Sequence, residues 1–165
     1  MKIIPLTRGY SAIVDDDDYE RLSQHKWYVE IRGTKTKPAI YAARSIYVEK
    51  KKKNIYMHRV ILGTPKGVLT DHKNHNGLDN RKENLRCCTR HQNTMNRRMH
   101  GNKNGYKGVF KASKHGYRAA IGVNGKTKYI GMYRSARLAA EAYDQIASKE
   151  FGEFAKLNFP QSMPD

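Results

Sequence analysis

Asp71-His72-Lys73-Asn74-His75-Asn76-Gly77-Leu78-Asp79-Asn80-Arg81-Lys82-Glu83-Asn84-Leu85-Arg86-Cys87-Cys88-Thr89-Arg90-His91-Gln92-Asn93 is the stretch on which the reading of this chain turns. Val68-Leu69-Thr70 can form a strand that runs into Asp71-His72, and the turn formers up to Asn84 make a loop. Leu85–Cys88 can return as a second strand. Thr89-x-x-Gln92 has the spacing of a capping box, so a helix is expected from there. The order is β-loop-β-α. Cutting a phosphodiester needs a base to deprotonate water and a cation to offset charge on the phosphate and the leaving oxygen. Asp71 offers a hard carboxylate, Asn93 a carbonyl oxygen and His72 a base. Two oxygen ligands completed by phosphate and water suit Mg²⁺, or Mn²⁺, better than Zn²⁺.

Residues 58–98 resemble the HNH endonuclease family in its phage and intron-encoded homing type, with His58-Arg59-Val60-Ile61 as the leading helix. The resemblance implies a ββα-metal (His-Me finger) motif. It makes Asp71 and Asn93 the metal ligands and His72 the general base, with Asn84 anchoring the loop. His91 is the alternative to Asn93; two residues apart on a helix point about 200° from each other, so only one can face a metal. Asp71 and His72, neighbours on a strand, face opposite sides unless the strand ends or twists there. His75 reads as a phosphate or solvent contact, and His58 as structural with a supporting role possible. His25, His100 and His115 read as surface residues. Adjacent Cys87 and Cys88 cannot easily bridge each other and form no C-x-x-C pair, so a zinc-stabilised module is disfavoured.

Upstream, residues 1–57 read as a small β-rich module that contacts DNA. Asp15–Asp18 start a short helix, where acids suit the free N–H groups, and a metal cluster is the lesser alternative. Residues 39–48 and 54–57 look like strands joined by a loop at Lys50–Lys53. Downstream, a linker at 101–105 leads to three short strands near 106–112, 117–123 and 127–133, with Asn124-Gly125 as a hairpin turn. Ser135 caps a helix over about 136–149, closed by Gly152, with Leu138, Ala139, Ala142, Tyr143 and Ile146 as its apolar stripe.

Tyr106-Lys107-Gly108-Val109, Tyr117-Arg118-Ala119-Ala120-Ile121, Tyr129-Ile130-Gly131, Ala139-Ala140-Glu141-Ala142-Tyr143-Asp144 and Leu157-Asn158-Phe159-Pro160 look like the Apetala/ethylene-response-factor (ERF) DNA-binding domain, over about 105–160. Lys107 stands where plant members have Arg, and Tyr117 and Tyr129 where they have Trp. The resemblance therefore implies a binding mode and no base preference. Lys107, Lys111, Arg118, Lys126 and Lys128 here, with Arg86, Arg90 and Arg97 in the central segment, are the candidate DNA contacts.

The 165 residues carry 32 Lys+Arg against 15 Asp+Glu, a net charge of +17. It is spread almost evenly: +5 over 1–53, +6 over 54–100 and +6 over 101–165. Such a charge points to a polyanion, with nucleic acid first. No apolar run approaches a membrane span, and Met1–Pro5 opens no signal-peptide apolar region, so a cytoplasmic protein of a bacterial host cell is expected. The fold class expected is α+β in three modules, 1–57, 58–100 and 101–165, the last a three-stranded antiparallel sheet with one helix. The function expected is metal-dependent hydrolysis of double-stranded DNA, nicking or homing. No protein partner is evident; a monomer is expected, with a dimer as the alternative. The rival is a sequence-specific DNA-binding regulator with an inactive HNH fold.

Overall fold

Short strands of alternating polar and apolar residues begin the chain. A computed structural model describes residues 1–34, 36–96, 104–114 and 116–160, the side chain of Lys37 excepted. Strands β1 (Lys2–Pro5) and β2 (Ser11–Val14) pair antiparallel and bury Ile4, Ala12 and Val14. Helix α1 (Asp16–Ser23) starts after Asp15, with Asp16, Asp17 and Asp18 in its first turn. Three acids of this run have partners in the chain. Asp15 Oδ2 accepts the Lys82 N–H at 2.8 Å, Asp16 meets the N-terminal ammonium at 2.7 Å, and Asp18 meets Arg21 at 2.6 Å. Trp27 is buried and donates its indole N–H to Leu22 O, which closes the helix against the next sheet.

That sheet is antiparallel in the order β3 (Tyr28–Thr34), β4 (Lys37–Val48), β5 (Lys51–Tyr56). The loop expected at Lys50–Lys53 is a two-residue turn at Glu49-Lys50, and Lys51–Lys53 belong to β5. Both turn residues adopt left-handed φ, 49° and 60°, which matches the twist of a tight hairpin without the glycine usual there. Helix α2 (Met57–Leu62) follows at once and ends at Gly63, whose φ of 57° is the left-handed cap. Arg59 holds the next loop by donating to the carbonyls of Thr64, Pro65 and Val68. Strands β6 (Leu69–His72) and β7 (Leu85–Cys88) then form an antiparallel pair.

One apolar core joins all of this. Ile4, Val14, Leu22, Trp27, Val29 and Ala42 pack in the same cluster as Met57, Ile61 and Leu85. The boundary expected at residue 57 is therefore absent. The chain forms two compact units, Met1–Arg90 and His91–Asp165, rather than three modules. A segment with so few large apolar residues cannot bury a core of its own and shares its neighbour's.

The second unit holds α3 (Arg90–Met95) from His91 on, and an antiparallel sheet of β8 (Val109–Ser113), β9 (Gly116–Val123) and β10 (Lys126–Tyr133) in the order β10-β9-β8. Asn124-Gly125 makes the β9–β10 turn with φ of 51° and 76°. Helix α4 (Ala136–Phe151) covers one face, and Ser135 caps it by accepting Leu138 N–H. The buried stripe is Ala139, Ala140, Tyr143, Asp144 and Ala147, whereas Leu138 is 50% exposed. The helix is turned about one residue from the expected stripe. Small alanines let it lie close to the sheet, and the Tyr143 ring rests on Gly108, where any side chain would overlap it. Asp144 then accepts from Asn158 N–H and Phe159 N–H, fastening the segment after the helix. Arg97, His100, the linker residues 101–103 and His115 lie outside the described residues.

Left-handed backbone costs a non-glycine residue roughly 1–2 kcal/mol. Lys50→Gly is therefore expected to stabilise the first unit by about 1 kcal/mol. Thermal melting should show the gain as a rise of about 4–8 °C.

Candidate functional site

Strand β6 ends at His72, and the two neighbours there turn to different surroundings. Asp71 stands opposite Arg86 in the strand register. Arg86 donates to Asp71 Oδ2 from Nε at 2.9 Å and from Nη2 at 2.8 Å. Both side chains are about nine-tenths buried, so each charge depends on the other to offset its lost hydration.

His72 stands among rings. His58 meets it edge-on, with centroids 5.0 Å apart at 84°, and Tyr41 lies at 6.0 Å. Its Nε2 is 3.4 Å from Asn80 Oδ1. Asn80 is fully buried, and its Nδ2 donates to Leu78 O, which turns Oδ1 toward the imidazole. A neutral His72 thus carries its proton on Nε2 and presents Nδ1 as the basic nitrogen. Burial pushes the His72 imidazole below its ordinary value, against the opposing pull of Asn80, Asp71 and Asp79. His58 is lowered further, to about 3, by burial with the neighbouring His72 adding to it. Burial raises Tyr41, and the charge of Asp71 adds to the rise.

The loop between the strands is held at both ends. Asn84 is buried; its Oδ1 accepts Asn74 N–H at 3.0 Å and its Nδ2 donates to Asp79 O at 2.8 Å. Asp79 in turn accepts two bonds from the Arg81 guanidinium, one from the Arg81 N–H and one from Asn74 Nδ2. Strand β2 grips the same loop through its backbone. Ile13 N–H donates to Leu78 O, and Asn80 N–H to Ile13 O, both at 2.8 Å. Gly77 lies against β4, where a side chain would overlap Ile40 O and come within 2.7 Å of the Tyr41 ring. A cleft of about 410 Å³ beside the loop is lined by Lys73, Asn74, Arg81, Glu83 and Asn84.

The other candidate residues belong to several elements of the two units. Asn93 is half-buried and His91 exposed on α3. Arg90, Lys111, Arg118 and Lys126 are exposed, and Arg97 lies outside the described residues. Three cations expected at DNA have protein partners, Arg86 among them through Asp71. Lys128 pairs with Glu150 of α4 at 2.9 Å. Lys107 donates to Met95 O at 2.6 Å, and burial pushes its ammonium down to about 8. Tyr41, Asn80 and Gly77, which build the surroundings of His72, went unremarked in the sequence. The one legible signal for them was the alternation along β4, which sets Tyr41 and Ala43 on one face.

Among the described residues, no group of three or more His, Cys, Asp and Glu side chains is placed to hold a metal. What the donors fit is an ion held by few protein oxygens and completed by phosphate and water, the usual manner of Mg²⁺. Asp71 is a hard carboxylate of the kind such an ion takes, and here it pairs with Arg86.

Two measurements check this arrangement. Removing one partner of a buried ion pair costs about 3–5 kcal/mol. Arg86→Met should therefore lower the melting temperature by more than about 10 °C, whereas a residue that only touches DNA would leave it unchanged. The unfolded chain protonates His58 near 6.5, while the folded chain holds it neutral down to about 3. Stability is therefore complete above pH 6.5 and falls as pH drops through that window, by at most about 1.4 kcal/mol per pH unit for this group. Melting temperatures from pH 7 to pH 4 should fall steeply for the native chain and less steeply for His58→Phe.

Residues 56–95 match the HNH endonuclease family. A protein of Acanthamoeba polyphaga mimivirus, described as an uncharacterized HNH endonuclease, is 32% identical over 153 residues, which is 92% of this chain and 76% of the relative. No solved structure matches. No helix among the described residues is long and apolar enough to cross a membrane. The matched segment contains Asp71, His72 and the loop anchor Asn84, and the similarity to the viral relative runs through both units: the chain belongs to the HNH endonuclease family.

Proposed function

We propose that the protein hydrolyses phosphodiester bonds of double-stranded DNA, with His72 as general base. The observation that carries this is the contact of the buried His72 Nε2 with Asn80 Oδ1, from which the tautomer is inferred. The imidazole is buried, neutral and fixed by Asn80, with Nδ1 as its accepting nitrogen. Nδ1 takes the proton of the attacking water. The water oxygen bonds to phosphorus, and the bond to the 3′ oxygen breaks, leaving a 5′-phosphate and a 3′-hydroxyl. HNH nucleases generally use a divalent metal. Here Asp71, with the side-chain oxygen of Asn93 proposed from sequence spacing as second donor, would hold Mg²⁺ or Mn²⁺. Such an ion offsets charge on the phosphate and the leaving oxygen. Asn84 keeps the loop closed behind His72. One site per chain implies a nick by a monomer; a dimer would cut both strands.

The C-terminal unit is the proposed DNA reader, in the manner of the ERF domain that residues 105–160 resemble. Its three-stranded sheet leaves one face uncovered by α4. One observation favours the rival reading of a regulator with an inactive fold, namely that Asp71 is paired with Arg86.

Supercoiled plasmid separates these readings. With Mg²⁺ the native chain should yield nicked circles, and with EDTA none. His72→Ala should cut at least about 100-fold more slowly, the usual worth of a general base. Cutting by His72→Ala at the native rate would overturn the mechanism. Tight duplex binding without cutting in any metal would establish the regulator reading.

A further inference from the structure

The uncovered face of the C-terminal sheet differs from the cationic ribbon that its sequence suggests. Successive strand residues face opposite sides. Val109, Ala119 and Ile121 are buried beneath α4, so Phe110 and Arg118 point the other way. Arg118 stands opposite Phe110 on one side and Met132 on the other in the strand register. Phe110 is 46% exposed, Met132 52% and Tyr129 59%. The Arg118 guanidinium lies 5.2 Å over the Phe110 ring. Lys128 stands opposite the buried Ile121 in the register, on the α4 side of the sheet, and pairs there with Glu150 of α4. The face is therefore an apolar strip holding one arginine.

The surroundings say what covers it. Residues 104–160 carry ten basic side chains against four acidic ones. Two copies would repel through this unit, whereas a polyanion would be drawn to it. A strand ribbon fits the major groove of B-form DNA, where the one apolar group displayed on base edges is the 5-methyl of thymine.

We propose that this face selects thymine-containing duplex DNA, through contact of Phe110, Met132 and Tyr129 with thymine methyl groups, while Arg118 supplies the polar contact. The inference rests on the reading that this unit lies in a DNA groove. It adds the chemical basis of base choice.

The full-length chain in EDTA, titrated against labelled duplexes, tests it. The probes are the dA·dT and dA·dU alternating duplexes, which differ by the methyl alone, and the dG·dC duplex with and without 5-methylcytosine. Burying a methyl-sized group is worth about fourfold in affinity. The dA·dT duplex should bind at least that much tighter than dA·dU, and 5-methylcytosine should strengthen binding to dG·dC. A double variant, Phe110→Ser with Met132→Ser, checked for folding by circular dichroism, should erase the difference between dA·dT and dA·dU. Equal binding of methylated and unmethylated duplexes would overturn the inference and leave the groove reading intact. Failure to bind any duplex would overturn the groove reading itself. Tighter binding of single-stranded oligothymidine than of the duplex would overturn the groove form of the proposal.

Discussion

The seating of the 73–84 loop against the N-terminal strands is the constraint on which the site depends. Ile13 pairs with the loop through two backbone hydrogen bonds, and Gly77 lets it come down on β4 without a side chain between. Backbone bonds at 2.8 Å admit little sliding, so Leu78 and Asn80 have one position. Asn80 Nδ2 then donates to Leu78 O, and its Oδ1 faces His72 Nε2. The nuclease motif is thus finished by residues of β2 and β4, which precede it in the chain.

Burial does two different things around β6. For the imidazoles it removes charge: His72 and His58 touch edge to face, and two neutral rings can do so without repulsion. For Asp71 it demands a counter-charge, which Arg86 provides from the opposite strand. The pleat separates the two problems, sending neighbouring side chains to different partners. An imidazole that burial keeps neutral and a carboxylate paired with an arginine therefore sit side by side in sequence with different hydrogen-bond partners.

Much of this was legible in the chain. Asn124-Gly125, Ser135 and Gly152 each mark a local conformation that only a few residues adopt easily, and each sits where the elements change. The β-loop-β-α order around Asp71-His72 followed from turn formers and a helix cap. Three things were hidden because they depend on tertiary packing. The Glu49-Lys50 turn lacks the residues that announce it, so the lysine run reads as loop when most of it is strand. The rotation of α4 is set by Tyr143 over Gly108, a contact between distant positions. The partners of Arg86, Lys107 and Lys128 lie far along the chain, and a cation's spacing does not tell whether it meets a phosphate or a carboxylate.

The core shared by Ile4, Trp27, Met57, Ile61 and Leu85 has a counterpart in the second unit, where Val109, Ala119, Ala139 and Ala140 close a core of their own. The two halves are therefore unequal as engineering parts. A graft of the cutting motif alone would carry exposed apolar faces cut from the strands that cover them. A swap of the C-terminal sheet and helix would carry its packing with it. The surroundings of His72 thus travel only with the strands that precede them, whereas the second unit's sheet and helix keep a core of their own when exchanged.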